Sequence, residues 1–153
     1  MIETPSIITT TRRDIAVIRF TIPHAEMMKV FGPGIQELVG ELAAQGIAPA
    51  GAVFAHHHRI TKDTFDFDLG VPVGRPVAAR GRVRPGVWPS QRAARTVYHG
   101  GYEGLPGAWG EFTAWMKGQG VAQAEDLWES YDKGPQTSAD PKEWRTELVR
   151  PLV

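Results

Sequence analysis

Three side chains near the C-terminus have the types and spacing to make a polar centre in an aromatic surface. Glu129 and Tyr131 stand two residues apart in Leu127-Trp-Glu-Ser-Tyr131, and Glu147 lies in Trp144-Arg-Thr-Glu-Leu148. Two residues is the repeat of a strand, so Glu129 and Tyr131 share a face wherever this segment is extended. A carboxylate beside a phenol and among indoles suits either of two chemistries. It can hold a flat apolar or cationic ligand, since ring faces attract cations. It can also move a proton, since burial lifts a carboxyl pKa toward neutrality. The wall is available: Trp109, Trp115, Trp128 and Trp144, with Tyr98, Tyr102 and Tyr131, all fall in the second half of the chain.

Other chemistries lack their residues. The chain has no cysteine, which removes disulfides, thiolate metal sites and thiol nucleophiles. Strand alternation sends His57 away from His56 and His58, and no Asp/Glu-x-x-His spacing accompanies them, so neither a metal nor another cofactor is expected. Glycine-rich phosphate loops and the Gly-x-Ser-x-Gly elbow are absent. With 17 basic and 17 acidic residues the net charge is zero, which argues against direct nucleic-acid binding. Arg75, Arg80, Arg82, Arg84, Arg92 and Arg95 nevertheless cluster in a stretch without acids, the one charged surface on which a protein partner could dock. No apolar run is long enough to span a membrane, and the N-terminus shows no leader, so a cytoplasmic protein is expected.

The elements that must carry these residues follow from periodicity. Residues 13–22 are β-branched and end at Pro23, as in a strand. Ile35, Leu38, Val39 and Leu42 recur at helical spacing between Pro33-Gly34 and Gly46. Two strands follow, at 50–58 and 64–73. Residues 74–91 are rich in Pro, Gly and Arg and read as a connector. The order then repeats: a strand at 92–99, a helix through Leu105, Trp109, Phe112 and Met116, and strands at 126–132 and 143–152. Phe65–Val73 aligns with Trp144–Leu152, and Arg19–His24 with Val97–Tyr102. The expectation is an α+β fold of tandem β-α-β-β modules, 12–73 and 92–153, joined by 74–91, with antiparallel sheets bordering a groove.

Parity then assigns faces. With Phe65, Phe67 and Leu69 under the first helix, Asp68 faces the groove. By the repeat, Trp144, Thr146 and Leu148 lie helix-side and Glu147 groove-side. Placing Trp128 with the second helix sends Glu129 and Tyr131 to the groove, where they converge with Glu147. Ala55, His57 and Asp68 are the matching residues of the first half.

Four segments resemble the GyrI-like small-molecule-binding family, the effector-binding module of multidrug-sensing and AraC-type transcription regulators. They are Tyr98-His-Gly-Gly-Tyr-Glu-Gly-Leu105, similar to the family's His-x-Gly-Pro-Tyr turn; the helix end at Gly118-Gln-Gly120; Trp128-Glu-Ser-Tyr131; and Pro141–Leu152. Gly101 departs from the family's proline, which is expected to loosen the turn before Tyr102. The resemblance implies tandem strand-helix-strand-strand (SHS2-like) modules around a ligand cleft, with Glu129 and Glu147 as the acids that contact ligand. Tyr131 and Trp144 are secondary candidates. Tyr102, His57 and Asp68 complete the expected binding set.

Three functions follow from this reading. The first is a stand-alone binding protein for apolar, aromatic, neutral or cationic small molecules, without its own DNA-binding segment because the first strand begins at residue 13. The second is a hydrolase of electrophilic cyclopropane compounds, an activity implied by resemblance to some family members, with Glu147 and Tyr131 as acid and base. The third is a gyrase-inhibitor-like protein partner acting through the arginine stretch.

Overall fold

The computed structural model describes residues 2–153. Among them are eight strands and two α-helices, and within each unit the strands pair antiparallel. The strands are β1 (Ser6–Thr9), β2 (Arg13–Pro23), β3 (Phe54–Ile60), β4 (Thr64–Pro72), β5 (Arg84–Trp88), β6 (Arg92–His99), β7 (Leu127–Lys133) and β8 (Arg145–Pro151). The helices are α1 (Met27–Ala44) and α2 (Leu105–Gly118). The chain is α+β, and two compact units divide it.

One unit is Thr11–Ser90, with strand order β5-β2-β4-β3. Its helix buries Gly34, Leu38 and Leu42. A Cβ at Gly34 would lie 2.8 Å from Leu69, so the missing side chain is what lets α1 approach Leu69 and Phe20. This helix starts about two turns before the position expected from its breakers and carries Pro33 inside it. A proline there removes one helical hydrogen bond, a cost offset by the apolar face that α1 lays on the sheet.

The other unit joins residues 2–10 to Gln91–Val153, with strand order β1-β6-β8-β7. Its core is Ala94, Tyr98, Ala108, Phe112, Met116 and Leu148, with Trp109 and Trp115 packed against it. β1 pairs with β6 from Ser6↔Arg95 to Thr9↔Arg92. Both units thus share one topology: a β-α-β-β module with an extra strand beside its first strand.

Those extra strands are what periodicity missed. The stretch read as a connector contains β5, which pairs with Arg13–Val17 of β2. Pro85 is tolerated because β5 has a partner on only one side within its unit. Val83 and Trp88 are buried, and Trp88 meets Phe54 edge-on at 5.3 Å, with the Arg13 guanidinium 4.6 Å from its ring centroid. Four arginines of the stretch stay exposed but are engaged within the unit. Arg82 makes a two-point ion pair with Glu37, Arg80 reaches Glu41, Arg75 donates to the carbonyls of Gln45 and Gly46, and Arg84 donates to those of Gly81 and Val83. These four fasten the segment to its own unit.

Candidate functional site

The register of β7 against β8 places Glu129 opposite Leu148 and Tyr131 opposite Thr146. Direct cross-strand partners share a face, and Leu148 packs with Phe112 and Met116 of α2. Glu129 and Tyr131 therefore lie on the α2 face, and Trp128, opposite Val149, lies on the other. This corrects the expected parity of the strand by one residue. The physical reason is that Leu127, Trp128, Glu129, Ser130 and Tyr131 are all buried, so hydropathy carries no alternation to set the phase.

Glu147 faces away from that pair. It sits opposite Ser130 and Val97, and Arg95 binds its Oε2 through Nε at 2.8 Å and Nη2 at 2.7 Å. The expected convergence of Glu129, Tyr131 and Glu147 does not occur, and Glu147 is not the proton partner of Tyr131. Glu129 is.

The α2 face supplies Glu129 with neutral donors. The Trp109 indole N–H donates to Oε2 at 2.6 Å and the Tyr131 hydroxyl donates to Oε1 at 2.7 Å. Glu129 is only 8% exposed. Burial pushes its carboxyl above the usual range, against the downward pull of the two hydrogen bonds. Burial also pushes the Tyr131 phenol well up, helped by the adjacent carboxylate, and the Tyr102 phenol moves the same way for the same causes. The Tyr102 ring stands edge-on to Tyr131 at 5.6 Å and 5.0 Å from Trp144, whose indole N–H donates to the Ser138 carbonyl. Four of the expected residues, Glu129, Tyr131, Tyr102 and Trp144, thus belong to one array. Trp109, which the sequence places in the helical stripe with Phe112 and Met116, is a fifth member. Its signal was the indole N–H, which needs an acceptor once buried.

The turn from Tyr98 to Gly104 delivers Tyr102 to the array. The Tyr98 hydroxyl donates to the Gly101 carbonyl at 2.7 Å, and the Gly104 amide donates to the same carbonyl. Gly101 has φ −72° and ψ 159°, a backbone that proline adopts, so the glycine does not change the shape of the turn. The Cβ of a residue here would meet only the flexible Glu103 carboxylate. Gly101→Pro is therefore expected to stabilise the protein by about 0.4–1 kcal/mol through the unfolded state, read as a higher thermal midpoint.

In the other unit the expected residues separate. His57 is opposite Phe67, on the α1 face, whereas His56 is opposite Asp68 on the reverse face. His57 and Asp68 therefore do not share a surface, which corrects their placement together. His57 packs against Phe65 and Phe67 with ring centroids 5.3 Å away, and burial pushes its imidazole pKa down to about 4. It occupies the position of Tyr131: each precedes a bulge and faces the α-helix of its own unit. His24 stacks on Phe65 at 3.9 Å.

Solved structures share this architecture. The C-terminal domain of EcmrR matches with TM-score 0.86 and 21% identity over 98% of this chain and 97% of that one. In a cryo-EM structure of an EcmrR–DNA complex the match has the same score and identity, covering 97% of this chain but 57% of the EcmrR chain, so the present chain spans little more than half of that regulator. A hydrolase encoded by lin2189 from Listeria innocua matches with TM-score 0.70 and 12% identity, over 97% and 91% of the two chains. SAV2435 in complex with tetraphenylphosphonium matches with TM-score 0.63 and 10% identity, over 99% and 94%. Identities this low establish a shared fold. No curated protein sequence matches the chain. The sequence profile of the GyrI-like small molecule binding domain does match, over residues 3–153, and with the tandem β-α-β-β units it shows that this chain belongs to the GyrI-like family.

Proposed function

We propose that the chain binds lipophilic aromatic cations at the array of Glu129, Tyr131, Trp109, Tyr102 and Trp144. The observation that carries this reading is a buried carboxylate whose indole and phenol donors are neutral and whose surroundings are aromatic rings. A cation there gains both the carboxylate charge in a low-dielectric setting and the ring faces. Tetraphenylphosphonium, with a delocalised charge among phenyl groups, has this chemistry, and SAV2435 shares this fold and is bound to it.

Calorimetric titration with tetraphenylphosphonium and with the uncharged triphenylphosphine oxide tests the proposal. Saturable binding with a clear preference for the cation is expected, and equal affinity for the two would refute the role of charge. The affinity should also depend on pH with a definite sign. The carboxyl pKa is raised, so protonation begins above the ordinary glutamate range. Cation affinity is therefore full above that raised value and falls as pH drops through it, while affinity for the neutral compound stays flat.

A second reading rests on the 2.7 Å hydrogen bond from Tyr131 to Glu129. A carboxyl with an elevated pKa beside a phenol can pass its proton to the leaving carbon of a strained ring as the ring C–C bond breaks, while water attacks the other carbon and returns a proton to the carboxylate, the hydrolase chemistry expected from sequence but with Glu129 in place of Glu147. Incubation with a cyclopropane-bearing electrophile separates the two readings: released product, lost in Glu129→Gln, supports catalysis, and stoichiometric binding without product supports the first.

A further inference from the structure

The histidine run, which the binding array does not use, has its own geometry. His56, His58 and Asp68 form the one group of metal-ligating side chains among the described residues in which three donors approach one another, with ligand atoms within 4.8 Å. His58 Nε2 lies 2.8 Å from Asp68 Oδ2, and the His56 and His58 rings are 4.3 Å apart. From this cluster we propose that the hairpin of β3 and β4 binds a divalent first-row transition ion of the zinc class through His56, His58 and Asp68.

Three features support the assignment. The first is how the backbone gathers the ligands. His56 is opposite Asp68 in the ladder, and a bulge between His57 and Arg59 inserts His58 as an extra residue. His56 and His58, two residues apart, share the Asp68 side by alternation, and the bulge leaves His58 as an unpaired residue on that side while His57 stays under α1. The carboxylate comes from the facing strand, which is why a search for ligand spacing along the chain does not find it.

The second feature is the comparison offered by the repeat. The other unit has the same frame, with Ser130 opposite Glu147 and Asp132 as the extra residue at its bulge. There the charges are already matched, because Arg95 holds Glu147 and Arg145 lies 3.4 Å from Asp132. In the histidine unit the neighbouring guanidinium is engaged elsewhere: Arg19 binds both oxygens of Asp66 at 2.8 Å, with Thr21 adding a third contact. Asp68 is left to the histidines.

The third is donor chemistry. Two imidazoles and one carboxylate favour zinc, cobalt or nickel over magnesium or calcium, which prefer oxygen alone. The side chains of His58 and Asp68 are 29% and 16% exposed, so they are packed enough to be oriented yet open to an ion from solvent. Donors around a tetrahedral zinc ion lie about 3.3 Å apart at metal–ligand distances of roughly 2.0–2.1 Å, so donors that lie within 4.8 Å of one another need close by no more than about 1.5 Å. His58 must then present the lone pair of Nε2 and carry its proton on Nδ1. Three protein ligands leave a fourth position for water, the coordination of an open rather than a purely structural site.

Titration with Co2+ tests this directly, because its visible spectrum reports coordination. The wild type should take up one ion with tetrahedral-type bands, Zn2+ should displace it, and Zn2+ should raise the thermal midpoint. His56→Ala and Asp68→Asn should each weaken Zn2+ binding by at least about tenfold, no less than the loss of an outer-shell partner costs. Replacing the exposed His99 in the other unit should change nothing. His58→Ala gives an independent check, with circular dichroism establishing that each variant is folded. Wild-type protein that shows neither Co2+ bands nor a Zn2+-dependent midpoint overturns the proposal. Equal affinity in wild type and the His56, His58 and Asp68 variants also overturns it, by placing the ion elsewhere.

Discussion

Glu129→Gln should weaken tetraphenylphosphonium binding by about 30-fold, roughly 2 kcal/mol, while affinity for triphenylphosphine oxide changes little. The substitution keeps the shape of the side chain and an oxygen for the Trp109 N–H, which donates to Glu129 at 2.6 Å. What disappears is the charge. In a buried site that charge is screened far less than on the surface, so its removal is read mainly in the cation and hardly in the neutral analogue. The same variant should remove the pH dependence of cation binding. It also changes stability with a sign that can be worked out. Because the folded-state carboxyl pKa is raised, the native protein is stabilised by protonation below the ordinary glutamate pKa, and this is lost as pH rises through the folded value. Glutamine carries no such penalty. The thermal midpoint of the variant relative to wild type should therefore be higher near neutrality than in acid.

Gly100→Ala should lower stability by about 2–3 kcal/mol, a fall in thermal midpoint of roughly 5–10 °C. Gly100 has φ +143°, a region closed to residues with a side chain. A Cβ there would also stand 2.7 Å from the Tyr98 hydroxyl, the group that donates to Gly101 and closes the turn. Since the same turn carries Tyr102 to its contacts with Tyr131 and Trp144, the variant should lose cation affinity as well as stability. Gly110→Ala is the control. Gly110 lies within α2 with nothing near its missing Cβ, so alanine there should stabilise by about 0.5–1 kcal/mol. Opposite signs from one chemical change would locate the first effect in the turn rather than in glycine replacement as such.

The elements that could be read from sequence are those with a periodic signal of their own. The strands now described as β2, β4, β6 and β8 and the α2 stripe through Phe112 and Met116 all carried one. The internal repeat carried residue equivalence as well: His57 corresponds to Tyr131 and Asp68 to Glu147 in the observed registers. β1 and β5 had weaker signals. β5 carries Pro85 and Gly86, and β1 is four residues long, so each is extended mainly because a neighbouring strand accepts it.

The site residues were recognisable by type, but their grouping was not. In β7 both faces are buried, and placing the large apolar Trp128 toward the helix was the reasonable choice on hydropathy alone. Two hydrogen bonds from Trp109 and Tyr131 reverse that choice by making room for a carboxylate on the α2 face. A hydrogen bond between a helix and a strand 20 residues apart leaves no periodic trace. The histidine cluster was hidden for a related reason, since its aspartate lies across a ladder. The shared face of His56 and His58 follows from alternation, but which residue stands across from them is invisible until the register is known.

The arginine stretch shows a different case, exposed side chains that are also engaged with their own unit. Arg82 pairs with Glu37 and lies 5.0 Å from the Phe20 ring centroid, and Arg75 caps carbonyls after α1. These contacts give Arg75 and Arg82 a role in the packing of their own unit, and they do not bear on docking by the exposed guanidinium groups of the stretch.

The most direct test of the account is a crystal structure of the protein with tetraphenylphosphonium. The expected result is a phosphonium whose phenyl groups lie against Tyr102, Tyr131 and Trp144 and whose charged centre is within about 6 Å of a ring centroid on the Glu129 side, the range over which a ring face attracts a cation. A ligand seated away from Glu129, or one ordered identically in the Glu129→Gln protein at equal affinity, would contradict it.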